Sequence, residues 1–71
     1  MKQAPQPVGQ PMNPNVTSPP CFFARHRASN VLRRVRTIRI WPDGSMTFLF
    51  AQVIKHEGAT IFFADSSECE A

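Results

Sequence analysis

Val35-Arg36-Thr37-Ile38-Arg39-Ile40-Trp41, Pro42-Asp43-Gly44 and Ser45-Met46-Thr47-Phe48-Leu49-Phe50-Ala51-Gln52-Val53-Ile54-Lys55 follow one another without interruption. The outer segments are rich in β-branched and aromatic residues with partial alternation, which is the pattern of strands. Between them, Pro presets the first corner of a turn, Asp accepts a local hydrogen bond and Gly takes the left-handed position. The stretch therefore predicts a β-hairpin closed by a type I turn with a glycine bulge. His56-Glu57-Gly58 supplies a second turn, and Ala59-Thr60-Ile61-Phe62-Phe63-Ala64 a third strand.

The first turn also sets a register. With Trp41 opposite Ser45, Ile40 faces Met46, Ile38 faces Phe48 and Arg36 faces Phe50. Phe62 and Ala64 fall on that same side. The other side carries Trp41, Leu49, Val53, Ile61 and Phe63, with Thr37, Arg39 and Arg33 near the edge. Both faces are thus substantially apolar. Residues 21–32 can cover one of them. The other is left as an interaction surface, unless the strands curl into a small closed barrel. Trp41 and Phe63 are the aromatic anchors expected on such a surface.

Outward from this core the chain changes character on both sides. The first 20 residues hold six of the seven prolines and no Phe, Leu, Ile or Trp. So few apolar groups cannot offset the entropy of ordering, and residues 1–20 read as a disordered Pro/Gln-rich arm. Phe22 and Phe23 are positioned to tether that arm to the core. Ala24, Ala28, Val31, Leu32 and Val35 recur at helical spacing, so residues 22–32 fit either a fourth strand or one to two turns of helix. Residues 66–71 read as an acidic tail. The expected architecture is a small β-rich domain over 21–65, α+β if the helix forms. Its centre is a three-stranded antiparallel meander over 33–65.

At 71 residues and 8.0 kDa the chain has room for one small domain. It is too short for a (β/α)8 barrel, which needs about 250 residues. Its apolar runs fall short of the roughly 18 residues of a membrane span. The start, Met1-Lys2-Gln3-Ala4-Pro5, lacks the apolar stretch of a secretory leader, and two cysteines do not make a disulfide framework. The expectation is a cytoplasmic protein with reduced thiols.

Charge is the most informative feature for function. Arg25, Arg27, Arg33, Arg34, Arg36 and Arg39 fall within residues 25–39 with no acid among them. Residues 40–71 carry Lys55 against Asp43, Glu57, Asp65, Glu68 and Glu70. Guanidinium groups bind phosphates and carboxylates bidentately and stack on bases. The block therefore points to nucleic acid or to an acidic protein surface such as that of a nucleic-acid-processing machine. Two plainer uses compete: a charged strand edge that resists aggregation, and internal pairing with the acidic tail.

Cys21, His26, His56 and Cys69 are the right residue types for tetrahedral zinc. Only Cys21-x4-His26 has a usable spacing, so they read as independent thiols and surface histidines, with no metal and no cofactor. No nucleophile–base arrangement or Gly-rich phosphate loop is present, and the carboxylates sit in turns or the tail. The expectation is a non-enzymatic regulator of transcription or another nucleic-acid process. The alternative is a protein-binding inhibitor or adaptor. In size and charge the chain resembles small regulators such as phage-encoded proteins that bind host RNA polymerase, with no motif to carry the likeness.

Overall fold

A computed structural model describes residues 14–70. Six strands, β1 (Asn15–Thr17), β2 (Phe23–His26), β3 (Val31–Ile40), β4 (Met46–His56), β5 (Ala59–Asp65) and β6 (Cys69–Glu70), form one antiparallel sheet. Their order is β5-β4-β3-β2-β6, and β1 pairs with the C-terminal half of β3 beyond the end of β2. The meander β3-β4-β5 is the one expected from the sequence.

Both turns form as their chemistry requires. The Trp41 carbonyl accepts from Gly44 N–H at 2.9 Å, and Trp41 N–H donates to the Ser45 carbonyl at 2.8 Å. Gly44 sits at φ 91°, the left-handed position that closes a type I turn with a bulge. The Ser45 hydroxyl and backbone N–H both donate to Asp43, which holds its carboxyl below the ordinary value. Glu57 (φ 50°) and Gly58 (φ 82°) make a two-residue loop with both centres at positive φ, the twist that suits a tight hairpin.

The helix reading of residues 22–32 is incorrect. Phe23–His26 is a strand, and a tight turn follows in which Asn30 N–H donates to the His26 carbonyl at 2.7 Å. Asn30 adopts φ 59°, a conformation its short polar side chain tolerates better than most. The apolar spacing was compatible with helix, but Ser29-Asn30 is turn chemistry and it ends β2. The boundary drawn at residue 20 also moves. Residues 1–13 lie outside the described residues, whereas Asn15, Val16 and Thr17 pair with Ile40, Arg39 and Ile38. At the other end the acidic tail is part of the sheet, Cys69 pairing with His26 and Glu70 with Arg25.

The predicted register holds from Ile40–Met46 to Thr37–Leu49 and then breaks. A bulge leaves Arg36 unpaired, so that Val35 rather than Arg36 faces Phe50. An extra residue flips every side chain beyond it to the other side. Val35 becomes fully buried and Arg36 exposed. A second irregularity, between the pairs Leu49–Phe63 and Ile54–Ile61 and taking in Phe62, brings Ile54 opposite Ile61. Ile61 thereby packs against the core instead of sharing the open face with Phe63.

The sheet is curled. Edge strands β5 and β6 are joined only by a single 3₁₀ turn, Ser66–Glu68. Five strands laid flat would separate those edges by about 19 Å. Three residues in 3₁₀ conformation advance only about 6 Å, so the sheet must bend to bring its edges together. Inside the curl lie Ala24, Val35, Phe48, Phe50, Ile54, Ala64 and Cys69. Phe22 closes the core with its ring edge-on to Phe48 at 5.4 Å. Among the described residues no helix is long and apolar enough to cross a membrane.

Two substitutions test this arrangement. Gly44→Val meets no steric obstacle, since nothing lies within 4 Å of an added Cβ. It should nevertheless cost about 1–3 kcal/mol through backbone strain alone, lowering the thermal midpoint by roughly 4 °C or more. Val35→Thr should cost about 1–3 kcal/mol by burying a hydroxyl. Arg36→Thr should stay within about 0.5 kcal/mol of the parent. Equal midpoints for the two threonine variants would remove the bulge.

Candidate nucleic-acid interface

The six arginines of the basic block divide into two groups of three. Arg25 donates from Nη1 to the Asn30 carbonyl at 3.2 Å. Arg27 donates to the Ser67 carbonyl, and its Nε lies 3.5 Å from Glu70 Oε2. Arg33 donates from Nε to the Val53 carbonyl at 3.4 Å and from Nη1 to the Leu32 carbonyl at 3.2 Å. These three fasten turns and strand ends to one another. For Arg27, the pairing with the acidic tail anticipated as a plainer use of the block is present.

Arg34, Arg36 and Arg39 are exposed, and among the described residues their guanidiniums make no hydrogen bond or ion pair. All three stand on β3 on the side away from the core. Residues paired directly across an antiparallel ladder share a face. One such row therefore runs Val16–Arg39–Thr47–Asp65, and the next Thr37–Leu49–Phe63. From Arg34 to Arg39 the ladder of charges extends about 17 Å along the strand. Asp65, two strands from Arg39, is the one acid in these rows.

Aromatic groups on this face behave differently from one another. Phe63 is 61% exposed. Trp41 is not free. It is half-buried, and its indole N–H donates to Thr47 Oγ1 at 2.9 Å, covering that hydroxyl beside the hairpin turn. Phe62, placed by the sequence on the covered side with Ala64, is 60% exposed because β5 is an edge. Sequence reasoning missed a shallow depression lined by Phe23, Leu32, Arg33, Arg34, Ala51 and Gln52. Phe23 pairs across the ladder with Arg34, which places an exposed ring beside a free guanidinium.

Cys21 is exposed and Cys69 buried. His26 is buried, not a surface histidine; its Nδ1 lies 2.9 Å from Ser29 Oγ, and its ring stands edge-on to His56 at 6.4 Å. Cys69 is opposite His26 across the β2–β6 ladder. Among the described residues no group of three or more His, Cys, Asp or Glu side chains is arranged to hold a metal ion. The His56 ring instead approaches Glu57, Nε2 to Oε2 at 3.6 Å.

Comparison with known proteins brings no match to this chain: no family model, no curated protein and no solved structure.

Burial raises the Cys69 thiol above its ordinary 9.0, with the nearby Glu68 carboxylate adding to the effect. A raised folded value means that the native state holds the proton more tightly. This stabilisation is fully present below the ordinary thiol value and is lost as pH rises through the raised one. The thermal-midpoint difference between wild type and Cys69→Ala, followed from neutrality to about pH 11, should therefore shrink as pH rises past the ordinary thiol value. A difference that stays constant with pH would show that the thiol is not buried.

Proposed function

We propose that this chain is a non-enzymatic binding module that contacts nucleic acid through Arg34, Arg36 and Arg39 and so modulates transcription or another nucleic-acid process. The observation that carries the reading is the division of the arginines. Three are spent on the protein's own carbonyls and on Glu70, while three make no such contact among the described residues and stand on one strand. A guanidinium that only prevented edge-to-edge aggregation would be expected on an edge strand. β3 is instead paired on both sides, by β4 on one and by β1 and β2 on the other. Leu49, Phe63 and Phe23 beside the ladder supply surface on which bases can stack, a contact that tolerates any sequence. Among the described residues, the arrangement of carboxylates, histidines and thiols supplies no nucleophile with a base.

A second reading has its own support. Phe62 and Phe63 lie consecutively on an open edge strand, and an extended segment of a partner protein could add to that edge as a further strand. In that case the arginines would border a protein interface and tune its on-rate.

Titration against random-sequence DNA and RNA at several salt concentrations separates the two. Three phosphate contacts should give a slope of log K against log salt of about −2 on single strands and about −2.7 on duplex DNA. Arg36→Glu combined with Arg39→Glu should weaken binding to every sequence and flatten the slope. Lys55→Glu, the same charge change away from β3, should do much less. Absence of binding below the millimolar range at low salt would discard the nucleic-acid reading in favour of the protein partner.

A further inference from the structure

We propose that the depression between β2, β3 and β4 is a subsite for one unpaired base, so that this chain selects single-stranded nucleic acid over duplex. The inference rests on the nucleic-acid reading and names the form of nucleic acid that the arginines of β3 serve.

The depression lies where two ladders stop. β3 pairs with β4 only as far as Val35–Phe50, and its residues Val31 to Arg34 pair with β2. The β4–β5 ladder is interrupted between Leu49 and Ile54. Ala51, Gln52 and Val53 therefore lie inside a long strand yet outside both of its ladders. Arg33 fills part of the gap, its Nε donating to the Val53 carbonyl at 3.4 Å. Backbone N–H and C=O groups are obligatory hydrogen-bonding groups. A strand segment outside its ladders offers them to whatever enters beside it.

The lining combines three kinds of chemistry. The depression measures about 400 Å³, within the roughly 300–1,000 Å³ of small-ligand clefts. Phe23 and Leu32 are exposed, while Ala24 and Val35 beside them are fully buried. Alternation thus turns the Phe23 ring and the Leu32 side chain away from the core. Arg33 and Arg34 add two guanidiniums, and no acid lines the depression. Gln52 contributes an amide that both donates and accepts. On the same side of the sheet Glu70 stands opposite Arg25, where Arg27 engages it.

A nucleotide matches this set part by part. Its base has a flat face for Phe23 and a polar edge for the Gln52 amide and the β4 backbone. Its phosphate suits Arg34, which pairs across the ladder with Phe23. Arg36 and Arg39 continue along β3 for the phosphates that follow. A base held by its face on an aromatic ring is bound whatever its sequence.

Duplex does not fit the same set. Each of its bases is stacked on both faces and paired at its edge, so a base must be extruded before it can reach Phe23, with loss of stacking and pairing. A single strand presents its bases already splayed. Electrostatics alone would favour the duplex, whose charge density is higher. The order of the two affinities is therefore diagnostic.

The test is fluorescence anisotropy of the full chain at one low salt concentration. The probes are a random-sequence DNA single strand, the same strand annealed to its complement, an abasic strand of equal length and charge, and a free nucleoside monophosphate. The single strand should bind more tightly than the duplex and about tenfold or more tighter than the abasic strand, the worth of one stacked base. The free nucleotide, lacking Arg36 and Arg39 contacts, should bind no better than millimolar. Phe23→Ala should weaken the single strand by about tenfold or more and leave the duplex and abasic affinities unchanged. The comparison of probes on wild type needs no variant to fold. Duplex and abasic strands that bind as tightly as the single strand would overturn the subsite and leave the phosphate contacts of β3 standing. A free nucleotide that binds as tightly as the strand would overturn the single-strand assignment. No binding of any probe would overturn the subsite and the nucleic-acid reading together.

Discussion

The bulge at Arg36 is the constraint on which the rest of the molecule turns. β3 carries one residue more than β4 between the pairs Val35–Phe50 and Thr37–Leu49. Without that residue, alternation would drive Arg36 against Phe50 and Val35 into solvent. A guanidinium inside so small a core would need a partner that the surrounding Ala24, Phe48, Ile54 and Ala64 cannot supply. The extra residue resolves the conflict at the cost of one unpaired position. It also bends the long strand, which a tightly curled sheet requires.

Curling decides how the charges are used. Because one 3₁₀ turn joins the two edges, β6 is carried round to β2, and Glu70 arrives opposite Arg25 and beside Arg27. The basic block and part of the acidic tail, distant in the chain, thus neutralise each other at one end of the sheet. Among the described residues the middle of β3 receives no such partner. Arg34, Arg36 and Arg39 are left in a row by the same topology that satisfies Arg25, Arg27 and Arg33. Selective internal pairing concentrates the excess positive charge of the chain along one strand.

Much of the fold is legible residue by residue. Pro42-Asp43-Gly44 names its turn because only a proline-fixed corner followed by a positive-φ glycine closes a hairpin that way. Glu57-Gly58 works similarly, and the register follows from the first turn as far as Thr37. The errors fall where local signals compete. The spacing of Ala24, Ala28 and Val31 suits a helix as well as a strand, and Asn30 decides between them through its left-handed backbone. The proline-rich composition of residues 1–20 hides Asn15–Thr17, whose order comes from the free edge of β3 opposite Ile38–Ile40 and not from any burial of their own. Trp41 looks like an exposed anchor in the sequence, yet its indole N–H needs an acceptor and finds it in Thr47.

What the sequence by itself determined are the local quantities: the two turns, the three central strands and the segregation of arginine from carboxylate. Each depends on residues close together in the chain, where backbone propensity and hydrogen-bonding capacity are intrinsic. What only the tertiary structure decided is which arginines are free, which phenylalanines are covered, and whether the apolar faces close on each other. Those outcomes depend on pairings across the sheet, above all β2 with β6 and the slipped ladders at Arg36 and between Leu49 and Ile54. A one-residue slip exchanges the two faces of a strand at little local cost, so only the packing of the whole sheet can choose between them.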